Sequence, residues 1–189
     1  MSADLFGNPL VPGLEYRADL LTPAAETALL ALLPTLPFTA FEFHGFEGKR
    51  RVVSFGWKYD FSAQKLLPVE PIPAEFASVR DAAGEALQVP PAQLEQLLIT
   101  EYGPGAAIGW HKDKASFGEI VGVSLGAPST MRLRRKQGSG WLRHSLVLEP
   151  RSAYRLSGEV RSAWEHSIPP VDALRYSLTF RTLTRRPEV

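Results

Sequence analysis

Residues Ile99–Asp113 read ITEYGPGAAIGWHKD, and the architecture of the chain turns on how this segment folds. An apolar, β-rich run from Leu97 to Tyr102 is broken by Gly103, Pro104, Gly105 and Gly109, and the segment then ends in His111-x-Asp113. Alternate residues of an extended strand project from the same face, so His111 and Asp113 point at one place if this segment is extended. With one more imidazole from far along the chain they make a three-donor metal set. The chain has four histidines. His166, just ahead of the turn-forming Pro169-Pro170, is the favoured third donor. His144, in WLRHSLVLEP, competes with it but also reads as an ordinary strand residue. His44, among phenylalanines, reads as a packing or capping residue.

The sequence after this segment is a series of short strands. Glu119 to Leu125, Thr130 to Lys136, Ser145 to Leu148, Ala153 to Leu156 and Arg175 to Leu183 are expected to be extended. Short strands separated by Gly and Pro turns argue for a β-sandwich or jelly roll. The helices come earlier. Thr22 is an expected N-cap, with Pro23 in the first helical position, Glu26 in the first turn and Pro34 as the stop. A second helix opens at Pro73 and runs through Phe76, Val79, Ala83 and Leu87 at spacings of three and four. Residues 1–20 read as irregular and Leu66 to Pro73 as a proline-rich loop. Because helices precede strands instead of alternating with them, a doubly wound sheet is disfavoured. The expectation is one mainly β domain with flanking helices (α+β) over residues 1–189. Its helices fall within 20–92 and its jelly-roll core at about 94–184.

The last strand, Arg175-Tyr-Ser-Leu-Thr-Phe-Arg181, has two unlike faces. Period two places Arg175, Ser177, Thr179 and Arg181 on one side and Tyr176, Leu178 and Phe180 on the other. If the polar side looks into a barrel, its two guanidiniums need anions, because an unpaired buried charge is very costly. A small dicarboxylate lying along the strand would supply both. The alternative is a half-exposed strand with two solvated arginines. Three protein donors leave half of an octahedral metal open, which suits non-haem Fe(II) oxygenases.

Lys49-Arg50-Arg51 leads into VVSFGWKYDF, expected to form strands joined near Gly56. Basic residues beside Phe55, Trp57, Tyr59 and Phe61 can grip a phosphate and stack a base, or simply form an edge hairpin with a solvated rim. Arg132 to Lys136 is a second basic stretch suited to phosphates. The net charge of +1 makes no case for nucleic acid in bulk. With no cysteine, disulfides, zinc–thiolate sites and iron–sulfur clusters are excluded. No apolar run suits a membrane span and no signal peptide is apparent, so the expected setting is cytoplasmic, as a monomer.

The segments LLITEYGPGAAIGWHKD, IVGVSLG and HSIPPVDALRYSLTFR resemble the AlkB family of Fe(II)/2-oxoglutarate-dependent dioxygenases, over roughly Lys49 to Leu183. The resemblance implies a double-stranded β-helix with iron held by His111, Asp113 and His166. It implies 2-oxoglutarate as co-substrate with O2, Arg175 pairing with its distal carboxylate and Arg181 near its metal-side end. Tyr102 matches the family's co-substrate tyrosine, and Ser177 lies on the same strand face as the two arginines. The stretch RRVVSFGWKYDF resembles a nucleotide-recognition lid, at about 47–65, with Arg51, Phe55 and Tyr59 as substrate contacts. The implied activity is oxidative dealkylation of N-alkylated bases in DNA or RNA. Thr100 and Ala115 stand where DNA-repair members often carry asparagine and an acidic residue. The short interval from His166 to Arg175 is closer to members that act on tRNA or protein. A tRNA or protein substrate, or a jelly-roll binding module without chemistry, are the alternatives.

Overall fold

The structure is a computed structural model that describes residues 11–43 and 46–185. His44 lies outside the described residues. In chain order the elements are β1 (Leu14–Arg17), α1 (Pro23–Leu32), β2 (Thr39–Phe43), β3 (Phe46–Phe55), β4 (Trp57–Asp60), β5 (Lys65–Pro68) and α2 (Ala77–Ala86). The second half follows with β6 (Gln96–Tyr102), β7 (Ile108–His111), β8 (Phe117–Gly126), β9 (Ser129–Gln137), β10 (Gly140–Leu148), β11 (Ala153–Leu156), α3 (Gly158–Ala163), β12 (Glu165–Ile168) and β13 (Arg175–Leu183). A seven-stranded antiparallel sheet runs β1-β11-β8-β13-β6-β3-β2, and a four-stranded sheet runs β10-β9-β12-β7. The two face each other across a cleft, as in a jelly roll, and β4 pairs with β5 as a separate hairpin.

Helix α1 starts where its capping chemistry says it should. The Thr22 hydroxyl accepts from the Ala25 N–H at 3.2 Å, Pro23 takes the first position, and Pro34 converts the end into one tight turn. Helix α2 closes differently from the usual glycine cap. Gln88 takes the left-handed conformation at φ +57, and the Val89 N–H reaches back to the Gly84 carbonyl at 2.8 Å. Both helices cover one face of the larger sheet. Leu29, Leu33, Phe76, Val79 and Ala83 pack there on Leu97, Ile99, Val121, Val123, Tyr176, Leu178 and Phe180. The opposite face of the same strands, with Met131, Leu133, Leu146 and Leu148 of the smaller sheet, encloses the cleft.

Three local expectations are corrected, and one strand is added to those expected. Residues 14–17 are not irregular: Gly13, at φ +85, turns the chain so that Leu14 is buried and β1 pairs with β11. The proline-rich loop begins with a strand, β5. Glu165–Ile168, four residues with no periodicity to read, forms β12 because it has a place between β9 and β7. Gly56 does separate two strands, but they do not pair with each other: β3 joins β2 and β6 in the larger sheet while β4 turns away to β5. The larger sheet therefore draws β1, β2 and β3 from outside residues 94–184. Among the described residues, no helix is long and apolar enough to cross a membrane.

Gly122, in β8, is where two strands approach through a side chain. A Cβ built there would sit 2.2 Å from Tyr154 Cζ, so the tyrosine ring of β11 lies directly over the glycine. Gly122→Ala is expected to destabilise by about 1–3 kcal/mol through overpacking. In a double-mutant cycle with Tyr154→Ala, followed by urea unfolding, most of that loss should vanish. Simple additivity would show that the ring is not the obstacle.

Candidate active site

The site is built where β7, the loop after it, β12 and β13 meet. His111 ends β7 and stands opposite His166 of β12 in the strand register, with ring centroids 4.2 Å apart. Asp113 follows two residues later, and its Oδ2 is 3.4 Å from His166 Nε2. One donor atom from each of the three lies within 4.8 Å of the others. Neighbouring donors bonded at about 2.1 Å and at right angles are roughly 3 Å apart, so two imidazoles and a carboxylate at this spacing fit one ion after a small contraction. The Gly109 carbonyl, 2.8 Å from His111 Nδ1, can only accept, so Nδ1 carries the proton and Nε2 is the donor atom left for a metal. His144 lies in β10 opposite Leu133 and is not part of this cluster.

The electrostatics keep Asp113 and His166 in the forms that can bind a metal. Burial by itself would raise the Asp113 pKa. The Arg181 guanidinium, whose Nη2 donates to Oδ1 at 2.9 Å, outweighs burial with help from His166, His111 and Arg161, and holds the carboxyl well below its usual range. His166 moves the other way. Burial pushes it down to about 4, opposed only in part by Asp113, so its imidazole is neutral at neutral pH.

The two arginines of the last strand, alike in sequence, are in different states. Arg181 is neutralised, donating to Asp113 and, from Nη1, to Gln96 Oε1 at 2.9 Å. Arg175 is only 1% exposed, stacks on the Tyr102 ring at 4.9 Å, and donates from Nη2 to Ser124 Oγ at 3.1 Å. Its Nε and Nη1 find no hydrogen-bond partner, and no carboxylate forms an ion pair with it among the described residues. A buried guanidinium so placed calls for an anion. Ser177 lies between the two arginines in the cleft wall, its hydroxyl 3.3 Å from that of Thr179.

Three contributors were missed. Tyr154 lines the cleft, and burial pushes its phenol up to about 12, so it stays a hydrogen-bond donor. The sequence AYRL gave no hint of this, but the glycine inside the β-branched run IVGVSLG was a signal of close approach. Arg161 of α3 donates to the carbonyls of Asp113, Lys114, Phe117 and Gly118, fastening the metal loop. No sequence spacing points to it. Arg50, 9% exposed, is the basic residue of its stretch that faces the cleft.

Two expected substrate contacts are elsewhere. Arg51 and Phe55 alternate with Arg50 and so lie on the face of β3 that points away from the cleft. Arg51 pairs with Glu101 at 2.7 Å, beside Tyr176, and Phe55 packs on Phe76 in the core. The expected position failed because a continuous seven-stranded sheet, not a separate flap, absorbs β3 and turns both side chains away from the cleft, Phe55 into the core and Arg51 to an exposed pairing with Glu101. Tyr59, on β4, is near the site: its ring meets Phe61 edge to face at 5.2 Å, and the ammonium of Lys114, next to Asp113, lies 4.9 Å over it.

The depressed His166 has a measurable consequence. Its folded pKa is below its unfolded value, so its contribution is full above about 6.5 and is lost as pH falls toward 4. Without metal, stability should drop by up to about 3 kcal/mol across that window. His166→Gln should remove this slope while leaving the further loss at lower pH that comes from Asp113. Urea denaturation from pH 8 down to about 2 reads both, the His166 loss above about 4 and the Asp113 loss below it. An unchanged slope in the variant would show that His166 is not the titrating group.

The family model of the 2OG-Fe(II) oxygenase superfamily matches residues 40–181. The alkylated DNA repair protein ALKBH8 homolog of Arabidopsis thaliana is 29% identical over 84% of this chain and 51% of its own length. The alpha-ketoglutarate-dependent dioxygenase AlkB of Escherichia coli (strain K12) is 30% identical over 67% of this chain and 66% of its own. This chain thus spans about half the length of the Arabidopsis relative. The solved structure of OsALKBH1 has the same fold, with a TM-score of 0.71, 17% identity, and coverage of 93% of this chain and 99% of that one. The matched family takes Fe(II), 2-oxoglutarate and O2, and the His111, Asp113 and His166 cluster is a donor set that fits the metal. The chain belongs to the 2OG-Fe(II) oxygenase superfamily and, within it, to the AlkB family.

Proposed function

We propose that this protein removes alkyl groups oxidatively from the ring nitrogens of nucleobases in DNA or RNA, with His111, Asp113 and His166 as the iron ligands. The observation that carries the reading is the pairing, in one cleft, of a three-donor facial cluster with a buried arginine that has no anion of its own. A keto acid with a distal carboxylate answers both needs. The printed name of the Arabidopsis relative, an alkylated DNA repair protein, supports the nucleic-acid substrate.

When bound, iron with 2-oxoglutarate supplies the oxidant: one O2 is split between conversion of 2-oxoglutarate to succinate and CO2 and hydroxylation of the N-linked alkyl carbon, whose product falls apart to an aldehyde and the free base. The remaining work belongs to the protein. Arg175 offers Nε and Nη1 to the distal carboxylate, with Tyr102 packed on its guanidinium and Tyr154 nearby in the cleft. Arg181 holds Asp113 ionised through Oδ1 and leaves Oδ2 turned toward His166. Arg161 keeps the loop carrying Asp113 from swinging away. The β4–β5 hairpin sets Tyr59 and Phe61 beside Lys114, suited to flank a nucleotide. A base within a duplex must leave the stack to reach such a cleft. The short connection between β12 and β13, residues 169–174, is the feature that favours the second reading, the same chemistry on tRNA or a protein side chain.

Formaldehyde release from methylated DNA, RNA and peptide, run side by side, is expected to occur with a nucleic acid and to disappear in His111→Ala and Asp113→Ala. Release from the peptide alone would move the substrate to protein, and turnover in the variants would remove the metal assignment. Arg175→Ala should raise the 2-oxoglutarate concentration needed by about 10- to 100-fold, the worth of a charged hydrogen-bond pair. An unchanged requirement would place the carboxylate elsewhere.

A further inference from the structure

The outer face of the smaller sheet carries a feature that the cleft chemistry does not use. In β9 Arg132, Arg134 and Lys136 alternate with the buried Met131 and Leu133, so the three cations share the solvent side. Register puts Arg143 of β10 opposite Arg134 and Trp141 opposite Lys136. Trp110 of β7 completes the row. The side chains interleave. The Arg132 guanidinium lies 5.3 Å from the Trp110 ring, Arg134 lies 4.3 Å from Trp110 and 4.3 Å from Trp141, and the Lys136 ammonium lies 5.2 Å from Trp141. The result is a ladder of alternating cations and indoles across the sheet.

Only Glu165, held to Arg134 Nε at 2.6 Å, offers a carboxylate on these four strands, against the cations of Arg132, Arg134, Lys136 and Arg143. The ladder is therefore strongly positive. It is also open: Trp141 is 39% exposed, and Arg132, Lys136 and Arg143 are exposed. Helices α1 and α2 pack on the other sheet and do not cover it. Exposed cation–indole contacts are worth too little, about 0.5–1 kcal/mol each, to explain leaving large aromatic surface in water. Solvated cations alone would need no tryptophans, and an acidic peptide alone would not use their planes. Flat rings spaced between phosphate-binding groups suit a polyanion with stackable bases.

We propose that this ladder is a binding track for single-stranded nucleic acid, engaging nucleotides that flank the one in the cleft. The proposal rests on the nucleic-acid reading above and extends it from one nucleotide to a longer footprint. The layout permits the path. Strand β7 is the free edge of the smaller sheet, and Trp110 and His111 are consecutive residues with opposite faces, so the ladder ends one residue from a metal ligand. A strand passing over that edge reaches both. Phosphates pair with Arg132, Lys136 and Arg143, and bases stack on the exposed part of Trp141.

The test compares a lesion-free, fluorescently labelled single-stranded 15-mer with a methylated trinucleotide too short to span the ladder from Trp110 to Arg143. Trp141→Ala should weaken 15-mer binding by about 5- to 100-fold with little change in its salt dependence. The double variant Lys136→Glu, Arg143→Glu should weaken it and flatten the plot of log affinity against log salt concentration. Both variants, shown to be folded by circular dichroism and melting, should keep wild-type turnover of the trinucleotide. Unchanged 15-mer affinity in both variants overturns the proposal, as does equal competition by a polyglutamate peptide or by phosphatidylserine vesicles. If the wild-type protein fails to turn over the methylated trinucleotide, the dealkylase reading fails instead, while the anisotropy series still decides whether the ladder binds nucleic acid.

Discussion

The pairing of Asp113 with Arg181 is the constraint on which the site depends. A carboxylate that must ligate a metal has to stay ionised, and this one is buried, where the charged form is penalised. The guanidinium at 2.9 Å reverses that penalty and at the same time fixes one carboxylate oxygen, so the other is turned toward His166. The pair crosses from the loop after β7 to the middle strand of the larger sheet. It thereby ties the metal site to the most buried element of the molecule.

That element, β13, is buried on both faces for different reasons. Tyr176, Leu178 and Phe180 fill the core beneath the helices, while Arg175, Ser177, Thr179 and Arg181 form the wall of the cleft. Its two arginines divide the labour. One is consumed by a protein carboxylate, and the other keeps two nitrogens without a protein partner in a place water scarcely reaches. Leaving such a group buried is destabilising in the empty protein. A cleft built this way gains from a bound anion what it lacks in internal pairing, which ties folding stability to occupancy of the cleft.

Alternation places different roles on the two sides of a sheet. Arg50 faces the cleft and Arg51 faces away. His111 faces the metal position and Trp110 faces solvent. In each case adjacent residues of one strand serve separate surfaces. The basic and aromatic residues near 50–61 looked like one recognition surface in sequence, yet β3 is stitched between β2 and β6, and only the residues beyond Gly56 turn out to the metal loop. The basic run in β9, by contrast, is drawn into a single surface by tryptophans from two other strands.

What could be read without coordinates were the features whose physics is local or periodic. The cap at Thr22, the two-faced pattern of RYSLTFR and the strands from β6 onward follow from hydrogen-bonding groups and side-chain alternation within a few residues. The clustering of His111, Asp113 and His166 was legible because so few histidines were available and Asp113 is only two residues from His111, although it sits in the loop after β7 and not in the strand. What the chain could not disclose locally was which strands are neighbours. Pairing between distant segments decided that Leu14–Arg17 is a strand, that Phe55 belongs to the core, that Tyr154 lies over Gly122, and that Arg161 clasps the loop it never adjoins in sequence. Strand pairing is a contest among many registers of similar local merit, settled only by the packing of the whole sheet, and so tertiary structure alone decided those positions.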